Sequence, residues 1–496
     1  MAQRDLKKRL EVQLNTNQAR NVIIFIGDGM GINTHTGARI YKGQKNGQSG
    51  EEASFAWENF PATGLFKTYS VDHQVPDSAA TATAIFSGVK TRSDVLGIDS
   101  VPAFNACYPD LVEKHKLEGL LHKAVANGKA TGIVTTDRIT GGTPGSLYAH
   151  IQNRDWEADS DVPEHGKACP DVAKQMIYND VCHSVNLFFG GGRSKFLKKE
   201  DGGERNDGED LILTWMKMKE KEKSLDKSFS VLYDKKDLEE WSTSETDFVL
   251  GLFNDSAMPY ELERDSNQVP SLEDMTRKAI QRLKKGPNGF FLMVESAGID
   301  KAHHRNWPKK AFEETIMLEK SVQVALDLSD PQDTLIIVTA DHSQSWTING
   351  YPKRGNNILG YVYDVASKRY IKNYDGSFSP YSTITYSSGL GFKDHFTNDS
   401  QKAWEDLKTI NYNDNNYRAP SMFLRKSATH GGEDVSLYAY GPWAHLLTGV
   451  HEQNYIAHAV IHASGWRSNN AAGSRTSKAS FCVIFFCCVA IMYFIQ

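Results

Sequence analysis

Acidic and imidazole side chains stand just beyond three apolar runs of this sequence, and that placement suggests metal chemistry. VIIFI (22–26) leads to Gly27, Asp28 and Gly29; FFLMV (290–294) leads to Glu295 and then to Asp300 and His304; LIIVTA (335–340) leads to Asp341 and His342. A carboxylate beyond a buried strand, with no evident cationic partner, is costly unless a metal or hydrogen bonds neutralise it. The spacing of Asp300 and His304 puts a carboxylate and an imidazole on one helical face. With the distant His430 they form an oxygen and nitrogen set suited to zinc. Asp341 and His342 offer a second zinc pair. Asp28, Glu295 and a hydroxyl such as that of Thr143 form an all-oxygen set suited to magnesium, which keeps several waters. A lone histidine is usually structural, but three beside three aspartates at strand ends are not explained that way.

Ser78 is the candidate nucleophile. In PDSAATATA (76–84), Pro76 ends the preceding segment and the small residues after Ser78 start a helix. Ser78 is therefore expected at a helix N-terminus, where orphan N–H groups and the helix dipole favour an anion. The plain alternative is a serine that merely caps the helix. Arg154 in NRDW (153–156) could clamp a phosphate with its two-pronged guanidinium.

These residues need a scaffold, and the sequence suggests one. Further short runs of β-branched and aromatic residues, TGIVTT (131–136), LFFGGG (187–192), FVLGLF (248–253) and VSLYAYG (435–441), alternate with helical patterns at 111–127, 273–285 and 310–328. Continuous apolar character marks strands buried on both faces. The alternation predicts an α/β fold with a large, mostly parallel sheet flanked by helices on both faces. Ligands of such sheets gather beyond the carboxyl ends of the strands. The segment 350–426 is rich in Tyr, Asn, Ser and Gly without a long helical pattern, and reads as an inserted lobe of strands and loops. The expected organisation is an N-terminal helical arm (1–20), an α/β core (21–349 and 427–466) interrupted by that lobe, a polar spacer (467–478) and an apolar tail (479–496).

Composition excludes several classes. The chain has 496 residues, 40% hydrophobic and 24% charged, with 9 Trp, 20 Tyr and 23 Phe, enough to build a core and too many for wholesale disorder. Sixteen prolines and six cysteines exclude collagen-like and disulfide-scaffold classes. A formal charge of −5 and a pI near 6.4 give no footprint for nucleic acid. The tail ASFCVIFFCCVAIMYFIQ carries no charge and follows small residues (Asn469, Asn470, Ala471) and a polar spacer. Those are the parts of a glycosylphosphatidylinositol (GPI) signal, with those three residues as attachment candidates. A retained membrane helix is the rival reading. The N-terminal MAQRDLKKRLEVQLN is not a signal peptide, so a secretory leader is expected upstream of this sequence. Asn254 and Asn398 head glycosylation sequons.

Taken together, IFIGDGMG (24–31), PDSAATATA (76–84), TTDRITGGTPG (135–145), YAHIQNRDW (148–156), VESAGIDKAHH (294–304), VTADHS (338–343) and THGGEDV (429–435) closely resemble the alkaline phosphatases of the animal, membrane-anchored type. The resemblance implies that Asp300, His304 and His430 bind one zinc. It implies that Ser78, Asp341 and His342 bind a second, and that Asp28 bridges this one to a magnesium also held by Thr143 and Glu295. Arg154 would grip the substrate phosphate, and Ser78, beside Asp77, would carry the phosphoryl group. It further implies a Cys107–Cys169 disulfide, a homodimer, a crown lobe at 350–426, and a GPI-anchored place on the outer face of the cell membrane. The substrates would be phosphate monoesters.

The sequence departs from the family at several positions. Gly141 stands where relatives have His or Asp beside magnesium, so that support is expected to be missing. Lys301 takes a position that is His in mammalian relatives and Lys in bacterial ones. Gln344 replaces a histidine that orients a zinc-binding carboxylate; its amide can still donate a hydrogen bond. Asn254 and Val269 replace acidic residues of the mammalian calcium site, which is expected to be weak or absent. The alternative function is a catalytically weak cell-surface binding protein on the same scaffold, and retention of every ligand type argues against it. A sulfatase or phosphodiesterase relative would have a Cys or Thr in place of Ser78.

Overall fold

The apolar runs of the sequence are strands, and four of them stand side by side at the centre of one sheet. The computed structural model describes residues 2–222, 228–362, 381–399, 402–404 and 410–466. Ten strands make the main sheet: β1 (Asn21–Gly27), β2 (Ala62–Lys67), β3 (Ala130–Arg138), β4 (Leu187–Gly191), β5 (Phe229–Leu232), β6 (Phe248–Leu252), β7 (Phe290–Ser296), β8 (Thr334–Ala340), β9 (Val435–Tyr440) and β10 (Gly449–Glu452). Their order is β10-β2-β9-β8-β1-β7-β3-β4-β6-β5. All run parallel except β9, which is antiparallel to both its neighbours. The central strands β7 and β8 are buried along their whole length, as two-faced burial requires.

Five helices matter for the site: α1 (Ile32–Lys45), α2 (Ser78–Ser87), α3 (Leu272–Leu283), α4 (Gly298–His304) and α5 (Pro308–Leu328). α3 and α5 pack on each other, α3 against β3 and β7, and α5 against β1 and β7. α3 starts with a reciprocal cap in which Ser271 Oγ accepts from the Asp274 amide and the Asp274 carboxylate accepts from Ser271. Met1–Trp466 fold as one compact unit.

The helix expected over 111–127 is instead two short ones, Pro109–His115 and Leu120–Ala126. Between them the chain is drawn out by partners that periodicity cannot reveal: Lys116 bridges to Ile98, and the Leu117 amide donates to the Gly97 carbonyl at 2.8 Å. Cys107 and Cys169 form the expected disulfide, 62 residues apart. Closing a loop of that length should stabilise the fold by ~2–4 kcal/mol through the unfolded chain. A Cys107→Ser/Cys169→Ser protein should melt lower by that amount in non-reducing denaturant titrations, and reduction of the native protein should bring it to the same midpoint. Cys182 is buried and free.

Within 350–426 the described elements are short strands and one short helix. Ile384–Gly389 pairs with Trp346–Ile348 and with Ser421–Leu424, fastening this segment to the core. No helix among the described residues is long and apolar enough to cross a membrane. The tail 479–496, and the candidates Asn469, Asn470 and Ala471, lie outside the described residues.

Candidate active site

Four adjacent parallel strands, β8, β1, β7 and β3, deliver the acidic groups to one edge. Gly27 at the end of β1 pairs with Ala340 at the end of β8, and Glu295 on β7 pairs with Ile26 and Thr135. Asp28 and Asp341 therefore emerge together, with Glu295 one strand away. His430 reaches the same edge because β9 runs backwards: Leu437 pairs with Thr339, so residues preceding β9 lie beyond the end of β8. A short antiparallel pairing of His430 with Gln344 fixes it there. Gly29 turns the chain with φ of 66°, and its amide donates to Asp341 Oδ1 at 3.0 Å.

Asp300, His304 and His430 meet as one cluster. His304 Nε2 lies 3.2 Å from Asp300 Oδ2, His430 Nε2 lies 3.5 Å from Asp300 Oδ1, and the two Nε2 atoms are 3.1 Å apart. The second cluster is built around His342 Nε2, which is 3.1 Å from Ser78 Oγ, 3.2 Å from Asp341 Oδ2 and 3.5 Å from Asp28 Oδ1. Ligands at 2.0–2.2 Å from a tetrahedral zinc stand about 3.3–3.6 Å apart, and these separations lie at or a little below that range; His342 also comes within ligand reach of Asp300 and His430.

The histidine nitrogens give an independent test. His304 Nδ1 faces the Ala428 carbonyl at 2.7 Å, and His430 Nδ1 faces the Pro76 carbonyl at 2.7 Å. A carbonyl only accepts, so both Nδ1 atoms carry the proton and both Nε2 atoms present lone pairs to each other and to Asp300. Facing lone pairs at that distance call for a proton or a metal ion between them. Without a metal a proton takes that place: although burial opposes its charge, the hydrogen bond to and charge of Asp300 raise His430 to about 8. Asp300 is held well below the usual carboxylate range, because the His304 charge and the hydrogen bonds of His304 and His430 outweigh its burial. His342, dominated by burial, drops to about 4.

The all-oxygen group is equally in want of a cation. Burial, then Asp341, Asp300 and Glu295, pushes Asp28 well above the usual range. Glu295 is raised to about 7 by burial and then by Asp137. Thr143 Oγ1 is buried, with the Glu295 carboxylate as its neighbour. The residues present thus fit zinc and magnesium by type: carboxylate–imidazole sets for the first, and an oxygen-only set of Asp28, Thr143 and Glu295 for the second.

Ser78 is the first residue of α2, and it is not the cap. Asp77 takes that role, its carboxylate accepting from the Ala79 and Ala80 amides at 2.9 and 3.3 Å. The Ser78 hydroxyl is thereby left to face His342 and, at 3.5 Å, Asp28. Arg154 Nη1 sits 3.0 Å from Asp77 Oδ2. That guanidinium holds Asp77 below the usual range against burial, and it keeps 24% of its side chain exposed, open to a ligand.

Of the groups around the site, Gln344 and Lys301 stood out in the sequence, while Gln453 and Asp137 did not. Gln344 Nε2 donates to Asp300 Oδ1, as expected of the amide, but the Gln453 amide that donates to the Asp341 carbonyl at 2.6 Å carried no signal. His303 is turned away, its ring nitrogens meeting Thr34 Oγ1 at 2.9 Å and the Tyr386 hydroxyl at 2.7 Å. Lys301 pairs with Asp137, a residue that only its place in TTDRITGG could have flagged. Asn254 is half-buried, its amide nitrogen donating to the Ala257 carbonyl at 2.6 Å; Asn398 lies in the strand Phe396–Asp399.

Around Asn254 and Val269 fixed cations already neutralise the acidic groups. Lys195 Nζ, on a side chain only 11% exposed, lies 2.6 Å from Glu204 and 2.9 Å from Asp161. The neighbouring Ser194 amide donates to the Asp255 carbonyl. Arg264 donates to the Val269 carbonyl at 2.8 Å while gripping Glu261. Millimolar calcium should therefore leave the melting temperature unchanged. Lys195→Met should cost about 1–2 kcal/mol, between the values of exposed and buried pairs. Calorimetry with and without calcium checks both.

Comparison with known proteins agrees with this geometry. A family model described as "Alkaline phosphatase" matches residues 19–466. The chain is 38% identical over 480 residues to the alkaline phosphatase of Gadus morhua, covering 93% of this chain and 95% of that protein. It is 37% identical over 456 residues to the membrane-bound alkaline phosphatase of Bombyx mori, covering 90% and 80%. The solved structure of the alkaline phosphatase from the Antarctic bacterium TAB5 matches with a TM-score of 0.60 at 23% identity, over 92% of this chain and 100% of that one.

Proposed function

This chain belongs to the alkaline phosphatase family and is a phosphatase enzyme; from that premise we propose that it is a zinc- and magnesium-dependent hydrolase of phosphate monoesters working through a phosphoserine at Ser78. Asp300, His304 and His430 would hold one zinc, and Ser78, Asp341 and His342 the other. Asp28, Thr143 and Glu295 would hold magnesium. Bound there, the ions would supply the positive charge that acidifies the Ser78 hydroxyl and stabilises the oxygens entering and leaving phosphorus. The observation that carries this reading is the pair of Nε2 lone pairs of His304 and His430, 3.1 Å apart beside Asp300.

The chain's own residues account for the rest. Ser78 Oγ attacks phosphorus from the positive end of α2, whose dipole also favours the phosphoryl oxygens. The Oγ–P bond forms as the P–O bond to the alcohol breaks, and the alcohol leaves with a proton. Arg154, braced by Asp77, pairs with the oxygens not being displaced. Water then attacks the same phosphorus, the Oγ–P bond breaks, and inorganic phosphate leaves with Ser78 restored. Such esters hydrolyse so slowly unaided that well over ~20 kcal/mol of barrier must be removed.

Two further readings concern placement. The side chains of Met422 and Phe423 are 64% and 66% exposed, and Leu424 is 49% exposed on the same short strand. Such an apolar strip supports a homodimer in which a second copy covers it. The apolar tail and the membrane-bound silkworm relative support a GPI anchor on the outer cell surface, with 350–426 as the crown lobe at the mouth of the site. Release from membranes by a phosphatidylinositol-specific phospholipase tests the anchor. Turnover of p-nitrophenyl phosphate at pH 9–10, with and without chelator, tests the activity. Hydrolysis undiminished by a chelator that strips all zinc would end the metal reading, and no hydrolysis by zinc-loaded protein would favour the binding-protein alternative.

A further inference from the structure

Gly141 was expected to leave a gap beside the magnesium set; instead a carboxylate from four residues earlier fills the space. Asp137 stands near the end of β3 and is 6% exposed. Its amide donates to Thr135 Oγ1 at 2.8 Å, and that hydroxyl donates to Glu295 Oε2 at 2.5 Å. Asp137 and Glu295 are thus carried on one hydrogen-bonded hydroxyl. Lys301 Nζ and the Arg138 amide, the latter at 2.7 Å, both donate to Asp137 Oδ1. Arg138 is itself committed to Glu157, with bonds of 2.7 and 2.6 Å.

These anchors turn Oδ2 toward residue 141. A Cβ at that position would stand 2.6 Å from Asp137 Oδ2 and 3.1 Å from the Arg138 carbonyl. The backbone of Gly141 is not in the left-handed region, with φ of −63°, so glycine is needed there for space and not for conformation. The two departures at Gly141 and Lys301 are therefore one device: removal of a side chain at 141 admits Asp137, and Lys301 fixes it.

We propose that Asp137, admitted by Gly141 and fixed by Lys301, is a positioning residue for magnesium at the Asp28–Thr143–Glu295 set. The proposal rests on the phosphatase reading above. Magnesium keeps several of its waters, and each water needs an acceptor; Oδ2, left free by the anchors on Oδ1, is that acceptor. Groups that orient a metal's ligands in this way are worth about 10–100-fold in affinity.

The experiment is calorimetric titration of magnesium into zinc-loaded, magnesium-free protein. Asp137→Asn and Lys301→Met should each bind magnesium about 10–100-fold more weakly than the native chain, with zinc content by elemental analysis unchanged. Asp137→Ala/Gly141→Asp, which returns a carboxylate from the other position, should recover most of the loss relative to Asp137→Ala; a purely structural role for Asp137 predicts no such rescue. Native magnesium affinity in Asp137→Asn, or no recovery in the double variant with native melting temperature, overturns the inference while leaving the phosphatase reading intact. A native chain that neither binds magnesium nor hydrolyses p-nitrophenyl phosphate overturns both.

Discussion

Replacing Ser78 by alanine should lower turnover of p-nitrophenyl phosphate by about 10³–10⁶-fold, the range seen when a covalent nucleophile is removed and direct attack by water is all that remains. Zinc should stay bound, because Asp341 and His342 still converge with Asp28, His342 Nε2 lying 3.2 and 3.5 Å from their oxygens. The fold should hardly notice. Asp77, not Ser78, caps α2, and the Ser78 hydroxyl has only His342 at 3.1 Å and Asp28 at 3.5 Å as side-chain partners. The signature is therefore a separation: lost activity and lost acid-stable phosphoprotein, with retained zinc and an unchanged melting temperature. Activity within tenfold of the native enzyme would remove Ser78 from the reaction, and lost metal or stability would assign it a structural role instead.

That separation shows what the sequence could and could not tell about Ser78. Its place at a helix start was legible, because Pro76 and the run of small residues mark the boundary. Whether it or Asp77 would cap was not, since both are good caps and only backbone geometry decides between them. The same division runs through the fold. Strands buried on both faces were visible as unbroken apolar runs. β2, β5 and β10 were not: β2 alternates buried and exposed residues, and β10 lies at the sheet edge with no fully buried residue. The reversal of β9 left no local mark either, although it alone brings His430 to the other ligands.

The candidate site was legible where residue type and strand end coincide, as at Asp28, Glu295, Asp341 and His342. It became obscure where one residue acts through another far away. Asp137 and Lys301 are 164 positions apart, and nothing in either neighbourhood announces the partner. The one local hint was a carboxylate and a glycine that departs from the family in the same short motif, TTDRITGG. A substitution read alone looks like a loss; the space it vacates has to be seen before the replacement is.

Stripping the metals should make stability fall as pH rises, whereas the loaded enzyme should hold its melting temperature. Asp28 is pushed well above its ordinary range by burial and then by Asp341, Asp300 and Glu295. Glu295 is raised from 4.5 to about 7 by burial and Asp137. A carboxyl raised on folding binds its proton more tightly when folded, so its support is complete below its unfolded value and is lost as pH climbs through the folded one. His430, raised from 6.5 to about 8 against burial by Asp300, acts with the same sign: its contribution is whole below 6.5 and gone above about 8. His342 works on the acid side. Lowered to about 4 by burial, it must be neutral when folded, so stability drops as pH falls below 6.5. Asp300, held low by His304 and His430, likewise penalises only acid. Two raised carboxyls outweigh the one lowered imidazole above about pH 4.5, so on these groups metal-free protein should be most stable at about pH 4–5 and weaken as pH climbs through about 7 and 8. The proposed zinc and magnesium would bind the deprotonated groups and expel their protons, so the loaded protein should keep its melting temperature, and the gap between the two should widen with pH. Calorimetry at intervals from pH 6 to pH 9, with and without chelator, measures the gap, and proton release on adding zinc to weakly buffered apoprotein measures its cause. A chelated protein whose melting temperature ignores pH, or zinc uptake that frees no protons, would mean that these groups are already ionised and partnered without metal, and the buried cluster would then have no need of the ions proposed for it.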